Sequence, residues 1–142
     1  MAGSSRHRAR RAAVQAIYQW ELTDQAPSKI EDHFLLDHDM GDVDVDYFHE
    51  LVREVPIHVH ELDDHLIPHL DRGIEDVDPV ERAILRIGAY ELEFHPETPY
   101  RVIINEAIEL AKVFGAEHGH KYVNAILDKA AVLMRPHESR PE

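Results

Sequence analysis

The chain has 142 residues, enough for one domain whose folding hides roughly two-thirds of its surface. It has no cysteine, which excludes a disulfide scaffold, a thiolate metal site and a cysteine nucleophile, and its six glycines form neither a dinucleotide fingerprint nor a P-loop. The net charge of −13 is uneven: residues 1–20 hold four arginines and no acid, residues 24–97 hold 21 acids against 5 bases, and residues 98–142 hold six of each. An anionic partner can dock only at the cationic head, and the acidic middle suits a basic protein.

The longest apolar run, Ala130 to Met134, falls far short of the roughly 20 residues of a membrane helix. No apolar stretch follows the basic N-terminus as in a secretory signal. The expectation is a single intracellular domain over 1–142, with a partly flexible Arg-rich head at 1–11 and a flexible tail at 135–142.

The first periodic segment, 5–23, places Ala9, Ala13, Ala16, Ile17 and Trp20 on one face and Arg8, Arg11, Gln15, Tyr18 and Leu22 opposite. Segments 28–39 and 43–54 follow. Between them, Asp42-Val43-Asp44-Val45-Asp46 imitates the start of a calcium loop. Tyr47 and Arg53 fall where that loop needs Gly and Glu, so the cluster reads as a helix start.

Segment 56–72 carries Pro56 and Pro68, each expected to break or kink it, and Gly73 closes it. His58, His65 and His69 gather within about 40° of its wheel, which suits either a three-imidazole site or a boundary stripe beside Val55, Val59, Leu62 and Leu66. Pro68 spoils the registration, so no metal site is assigned.

Asp78-Pro79-Val80-Glu81 starts segment 78–95 with an N-cap, a first-turn proline and a Glu three residues on. This fifth helix is apolar on two sides, with Val80, Ala83, Ile84, Ile87, Tyr90 and Phe94 on one and Leu85 and Leu92 on another; Glu91 within it reads as a buried, bonded carboxylate. Thr98-Pro99 starts segment 99–114, Gly115 ends it, and 117–133 is the last. With no period-two stretch of strand length, the predicted fold is all-α: about seven helices in two small bundles sharing the fifth.

Catalysis finds no support. The four serines and two threonines lie in termini or at helix ends, where capping explains them. Nucleic-acid binding has a better physical case. Arg11, Gln15 and Tyr18 form a stripe of cation, amide and ring, and Tyr122 stands outside the last helix's apolar face between Lys121 and Lys129. Cations interleaved with aromatics supply what single-stranded nucleic acid needs, phosphate neutralisation and base stacking. The helix start near 117–120 offers backbone N–H groups as a further phosphate seat. The same residues also suit an Arg-rich tail and two tyrosines lying along apolar surface, so the residues alone leave both readings open.

Five blocks are similar to the NusB transcription antitermination family, in the family's order and over nearly the whole chain. The first runs from Arg8-Ala9-Arg10 through Ala13-Val14-Gln15-Ala16-Ile17-Tyr18-Gln19-Trp20, and the second is Asp42-Val43-Asp44 with Tyr47-Phe48. Glu81-Arg82-Ala83-Ile84-Leu85-Arg86-Ile87 with Tyr90-Glu91-Leu92 is the third. The fourth, Pro99 to Lys112, and the fifth, Phe114-Gly115-Ala116-Glu117 with His120 to Lys129, are long and specific.

The resemblance implies an all-helical fold of two bundles, no enzyme activity and no cofactor. It implies binding to the single-stranded boxA element of ribosomal RNA leader transcripts as a heterodimer with NusE, a small-subunit ribosomal protein, and loading onto RNA polymerase with other Nus factors in the cytoplasm. Some members self-associate through the RNA surface, so a homodimer is a further expectation. The implied RNA surface comprises Arg6, Arg8, Arg10, Arg11, Gln15, Tyr18, Phe114, Glu117, His118, Lys121 and Tyr122, and the implied NusE surface includes Glu75 and Glu81. The chain departs from the family at His118-Gly119, which stands where Asp-Ser is frequent; a histidine can donate to phosphate where an Asp repels it. A pure protein-interaction module is the competing class. A methyltransferase's RNA-targeting domain lacks support, because no methyl-donor-binding segment accompanies it.

Overall fold

The computed structural model describes residues 2–37 and 40–138, with side chains from Ser5 onward. Among the described residues there are seven α-helices and no strand: α1 (Ala2–Thr23), α2 (Pro27–Asp37), α3 (Val45–Ile57), α4 (Val59–Leu66), α5 (Pro79–Phe94), α6 (Tyr100–Phe114) and α7 (Gly119–Met134). Short 3₁₀ turns at Ile67–His69 and Ile74–Asp76 lie between α4 and α5. The chain divides into two compact units, residues 1–57 with α1 to α3 and residues 58–142 with α4 to α7.

In the first unit α1 begins at Ala2, so the Arg-rich head, expected to be partly flexible, is helical. Its predicted core face is confirmed at Ala9, Ala13, Ala16 and Ile17, all fully buried, and Val14 joins them. Trp20 departs from the expectation and is only half-buried. The helix ends at Thr23, whose hydroxyl donates to the Gln19 carbonyl (2.7 Å), and Asp24 follows with φ 57°. Asp tolerates this left-handed turn better than most residues.

The acidic cluster acts as a helix start: the Asp44 carboxylate accepts from the Tyr47 N–H (3.0 Å), and the Asp44 N–H ties the turn to α1 at the Ser5 carbonyl (3.1 Å). Phe48, Leu51 and Val55 of α3 and Ile30 and Phe34 of α2 are all buried, with the Phe34 and Phe48 rings 5.8 Å apart. Glu31 is buried on α2 and is held by His49 and Arg53 of α3. The predicted second helix ran to 39; its last two positions lie outside the described residues. Pro56 is the penultimate residue of α3, which stops at Ile57, and Pro68 falls in the first 3₁₀ turn, so both prolines interrupt helix as expected.

In the second unit α5 is surrounded. The side carrying Arg86, Tyr90 and Phe94 meets α4: Arg86 and Asp63 form a buried two-pronged pair (2.9 and 2.8 Å), and the His58 ring lies 4.5 Å from Phe94. The opposite side meets α7 at Gly88, where an added Cβ would stand 2.8 Å from Leu127 Cδ1. The absent side chain is what lets the two helices approach. Asp78 caps α5 as predicted, accepting from the Val80 N–H (2.9 Å) and the Glu81 N–H (3.4 Å).

The other end of α5 depends on the first residue of the tail expected to be flexible. Arg135 is buried and donates to the carbonyls of Leu92 (2.9 Å), His95 (2.8 Å) and Thr98 (2.9 Å). A cation there satisfies orphan carbonyls and the negative end of the helix dipole together. Its neighbour Glu138 accepts from the Tyr100 N–H (2.8 Å), so α6 is capped from outside its own segment. Thr98 does not cap it: the N-cap position is Pro99. Residues 135–138 are therefore anchored, and 139–142 lie outside the described residues.

Candidate nucleic-acid interface

On α1, Arg8, Arg11, Gln15 and Tyr18 are all exposed. At 1.5 Å per residue they span about 15 Å of one helix face. The Gln15 amide is steadied by donating to the Arg11 carbonyl (3.3 Å), which leaves its oxygen and a second N–H available. Neither Arg8 nor Arg11 has an ion pair among the described residues.

Arg6 and Arg10, also expected on the RNA surface, lie against α3. Both guanidinium groups lie over the Tyr47 ring of α3, at 4.3 and 5.5 Å, and Arg6 also approaches Asp44 at 4.0 Å. Arg10 is 3% exposed. A helix repeats every 3.6 residues, so Arg10 belongs with Ala13 and Ile17 rather than with Arg11. Tyr47 is the aromatic partner that sequence alone did not connect to it.

The second unit carries the remaining predicted residues. Glu117, His118 and Lys121 are exposed, Lys129 is exposed further along α7, and Phe114 and Tyr122 are half-buried. Gly115 ends α6 with extended backbone (φ −89°, ψ 178°) rather than in a left-handed turn; a Cβ there would meet the Ala111 carbonyl oxygen at 2.8 Å. The helix starts at Gly119, not 117, and the Gly119 and Lys121 N–H groups donate to the Ala116 and His118 carbonyls (2.9 and 3.2 Å). Those two donors are occupied within the turn, so the expected phosphate seat is reduced.

Tyr122 is engaged too. Its hydroxyl donates to Asp71 (3.2 Å), and the Arg72 guanidinium stands 5.2 Å from its ring centre while forking onto Asp71 (2.8 and 3.0 Å). Arg72 holds the Asp71 carboxyl below its usual range, and burial followed by the Asp71 charge raises the Tyr122 hydroxyl. Arg72 is thus an exposed cation beside an aromatic that the sequence reading did not single out; no local spacing links it to Tyr122.

Of the residues expected to meet a protein partner, Glu75 is exposed in the second 3₁₀ turn and Glu81 is 8% exposed. Glu81 lies under the start of α7, where a Cβ on Gly119 would come within 2.6 Å of its Oε2. Burial pushes its carboxyl above the usual range, the Asp78 charge adds to this, and Arg72 offsets part. Glu81 is therefore packed against the turn, whereas Glu75 stands exposed. The histidine stripe is dispersed: His58 faces Glu61 (3.3 Å) and His65 faces Glu93 (3.1 Å), and no group of three potential ligands converges among the described residues. Glu91 is buried as expected.

The NusB family model matches residues 7–132. The chain belongs to the NusB family. It is 58% identical to the transcription antitermination protein NusB of Nitrosococcus oceani over 95% of this chain and 90% of the relative. Its fold is similar to that of T. maritima NusB (TM-score 0.79, 31% identity, 94% of this chain and 95% of that one). It is also similar to a chain in a crystal structure of the antitermination factors NusB and NusE with double-stranded RNA (TM-score 0.76, 25% identity, 92% and 98% covered). The NusB resemblance read from the sequence is confirmed, and the family consists of antitermination proteins rather than enzymes. No helix among the described residues is long and apolar enough to cross a membrane.

Proposed function

We propose that this chain is an antitermination factor that binds single-stranded boxA RNA of ribosomal RNA leader transcripts as a heterodimer with NusE, and joins RNA polymerase with other Nus factors in the cytoplasm. The observation that carries the reading is the α1 face of Arg8, Arg11, Gln15 and Tyr18, where exposed cations, an amide and a ring share one stripe. Single-stranded RNA is held by that combination of phosphate neutralisation and base stacking. The similar NusB chain in complex with NusE and RNA supports the choice of partners. Residues 24–97, with 21 acids against 5 bases, suit a basic ribosomal protein. A gel shift with boxA RNA, with and without NusE, tests the reading. Weak binding alone that tightens with NusE is expected; equal binding of a scrambled strand contradicts boxA recognition, and no binding in either condition contradicts the RNA role.

A further inference from the structure

Beside the α1 stripe lies an open pocket of about 260 Å³, and the stripe forms its polar side. Arg8, Arg11, Ala12 and Gln15 recur at helical spacing, so all four line it from one helix face. Phe34 of α2 and Met40 and Val43 of the following turn form its other side. The exposed lining is cationic and amidic, and the buried or half-buried lining is apolar and aromatic. None of these residues is acidic, in a chain with 28 acids.

The pocket is also firmly built. Phe34 is buried against Phe48, the Val43 N–H donates to the Met40 carbonyl (2.9 Å), and Asp44 ties the same turn to α1 through Ser5. A slot with an apolar wall and, at its mouth, two cations without ion pairs among the described residues matches the two halves of a nucleotide. An unstacked base would enter against Phe34, Met40 and Val43, with the backbone phosphates left outside at Arg8 and Arg11. Single-stranded RNA is recognised through splayed bases that are stacked and hydrogen-bonded on their edges. Gln15 retains one donor and one acceptor for such an edge.

We propose that this pocket receives one extruded nucleobase of the bound RNA strand, a specificity subsite separate from the stacking platform at Tyr18. The proposal rests on the RNA reading above. It adds residues of α2 and the α2–α3 turn that neither charge nor stripe periodicity marks.

The test uses the full chain and a short single-stranded boxA RNA from which each base is removed in turn, leaving the ribose and phosphate in place. In the wild type, loss of one particular base should weaken binding about five-fold or more, the effect of one lost stacked base. Ala12→Met fills the pocket from a helical position. It should weaken the intact RNA similarly, keep the salt dependence set by Arg8 and Arg11, and abolish the penalty for that base. Val43→Phe fills the pocket from the opposite wall and should behave alike if Ala12→Met does not fold. An unchanged base-removal profile in the folded, filled variants overturns the proposal. So does a filled pocket that weakens NusE association without RNA, which would assign the pocket to the protein partner. If the wild type binds no RNA with or without NusE, the functional reading itself fails and the pocket proposal with it.

Discussion

Tyr18 and Trp20 stand two residues apart on α1 and answer different demands. Tyr18 is exposed on the outer stripe, so Tyr18→Ala should change stability by no more than about 0.5 kcal/mol. A stacked base is worth about 1–3 kcal/mol per aromatic, so the same variant should lose roughly five- to 150-fold in RNA affinity. Trp20 is half-buried, and Trp20→Ala should therefore cost less than the ~3–5 kcal/mol of a fully buried aromatic while leaving RNA affinity in place. Melting curves and RNA titrations of the two variants check both halves. Arg135 makes the opposite case of a charged residue acting as structure. Arg135→Ala strands the Leu92, His95 and Thr98 carbonyls, each costing about 1–3 kcal/mol if buried without a partner. Denaturant unfolding should show a loss of about 3 kcal/mol or more, and Arg135→Lys should recover part of it.

At the scale of elements, the start of α7 rests on the Glu81 carboxylate, packed closely against Gly119. Because burial raises the folded-state pKa of Glu81, its ionised form costs stability above that pKa, and the cost is relieved as pH falls through it. Glu81→Gln should accordingly melt higher than the wild type at neutral pH, with the difference closing in acid. Glu138 runs the other way: the Tyr100 N–H and Arg135 hold its carboxyl low, so its contribution is present above the ordinary carboxylate range and fades in acid. A Glu81→Gln variant that melts as the wild type does at every pH would mean the burial carries no cost. Helix positions were legible because caps and prolines are local signals: Asp78-Pro79 and Asp44 sit where their chemistry demands. Thr98-Pro99 marks the α6 start to within a residue, but its capping group is not legible there, because Glu138 lies 38 residues downstream of the Tyr100 it caps. The outer α1 face was legible by periodicity, whereas the loss of Arg6 and Arg10 to Tyr47, and the pairing of Tyr122 with Asp71 and Arg72, depend on contacts that sequence spacing does not encode.

For the whole molecule, 28 acids in a protein assigned to RNA make the position of each unpaired cation decisive. With Arg6 and Arg10 lying over Tyr47, the proposed reading leaves Arg8 and Arg11 as the α1 arginines offered to the strand. Two phosphates contribute about −1.4 to the log–log salt slope of single-strand binding. The direct test is the salt dependence of boxA RNA binding, with NusE present, for the wild type and for Arg8→Gln/Arg11→Gln. The double variant should bind more weakly, fold normally and show a slope shallower by about 1.4. An unchanged affinity and slope would contradict the assignment of the α1 face to RNA.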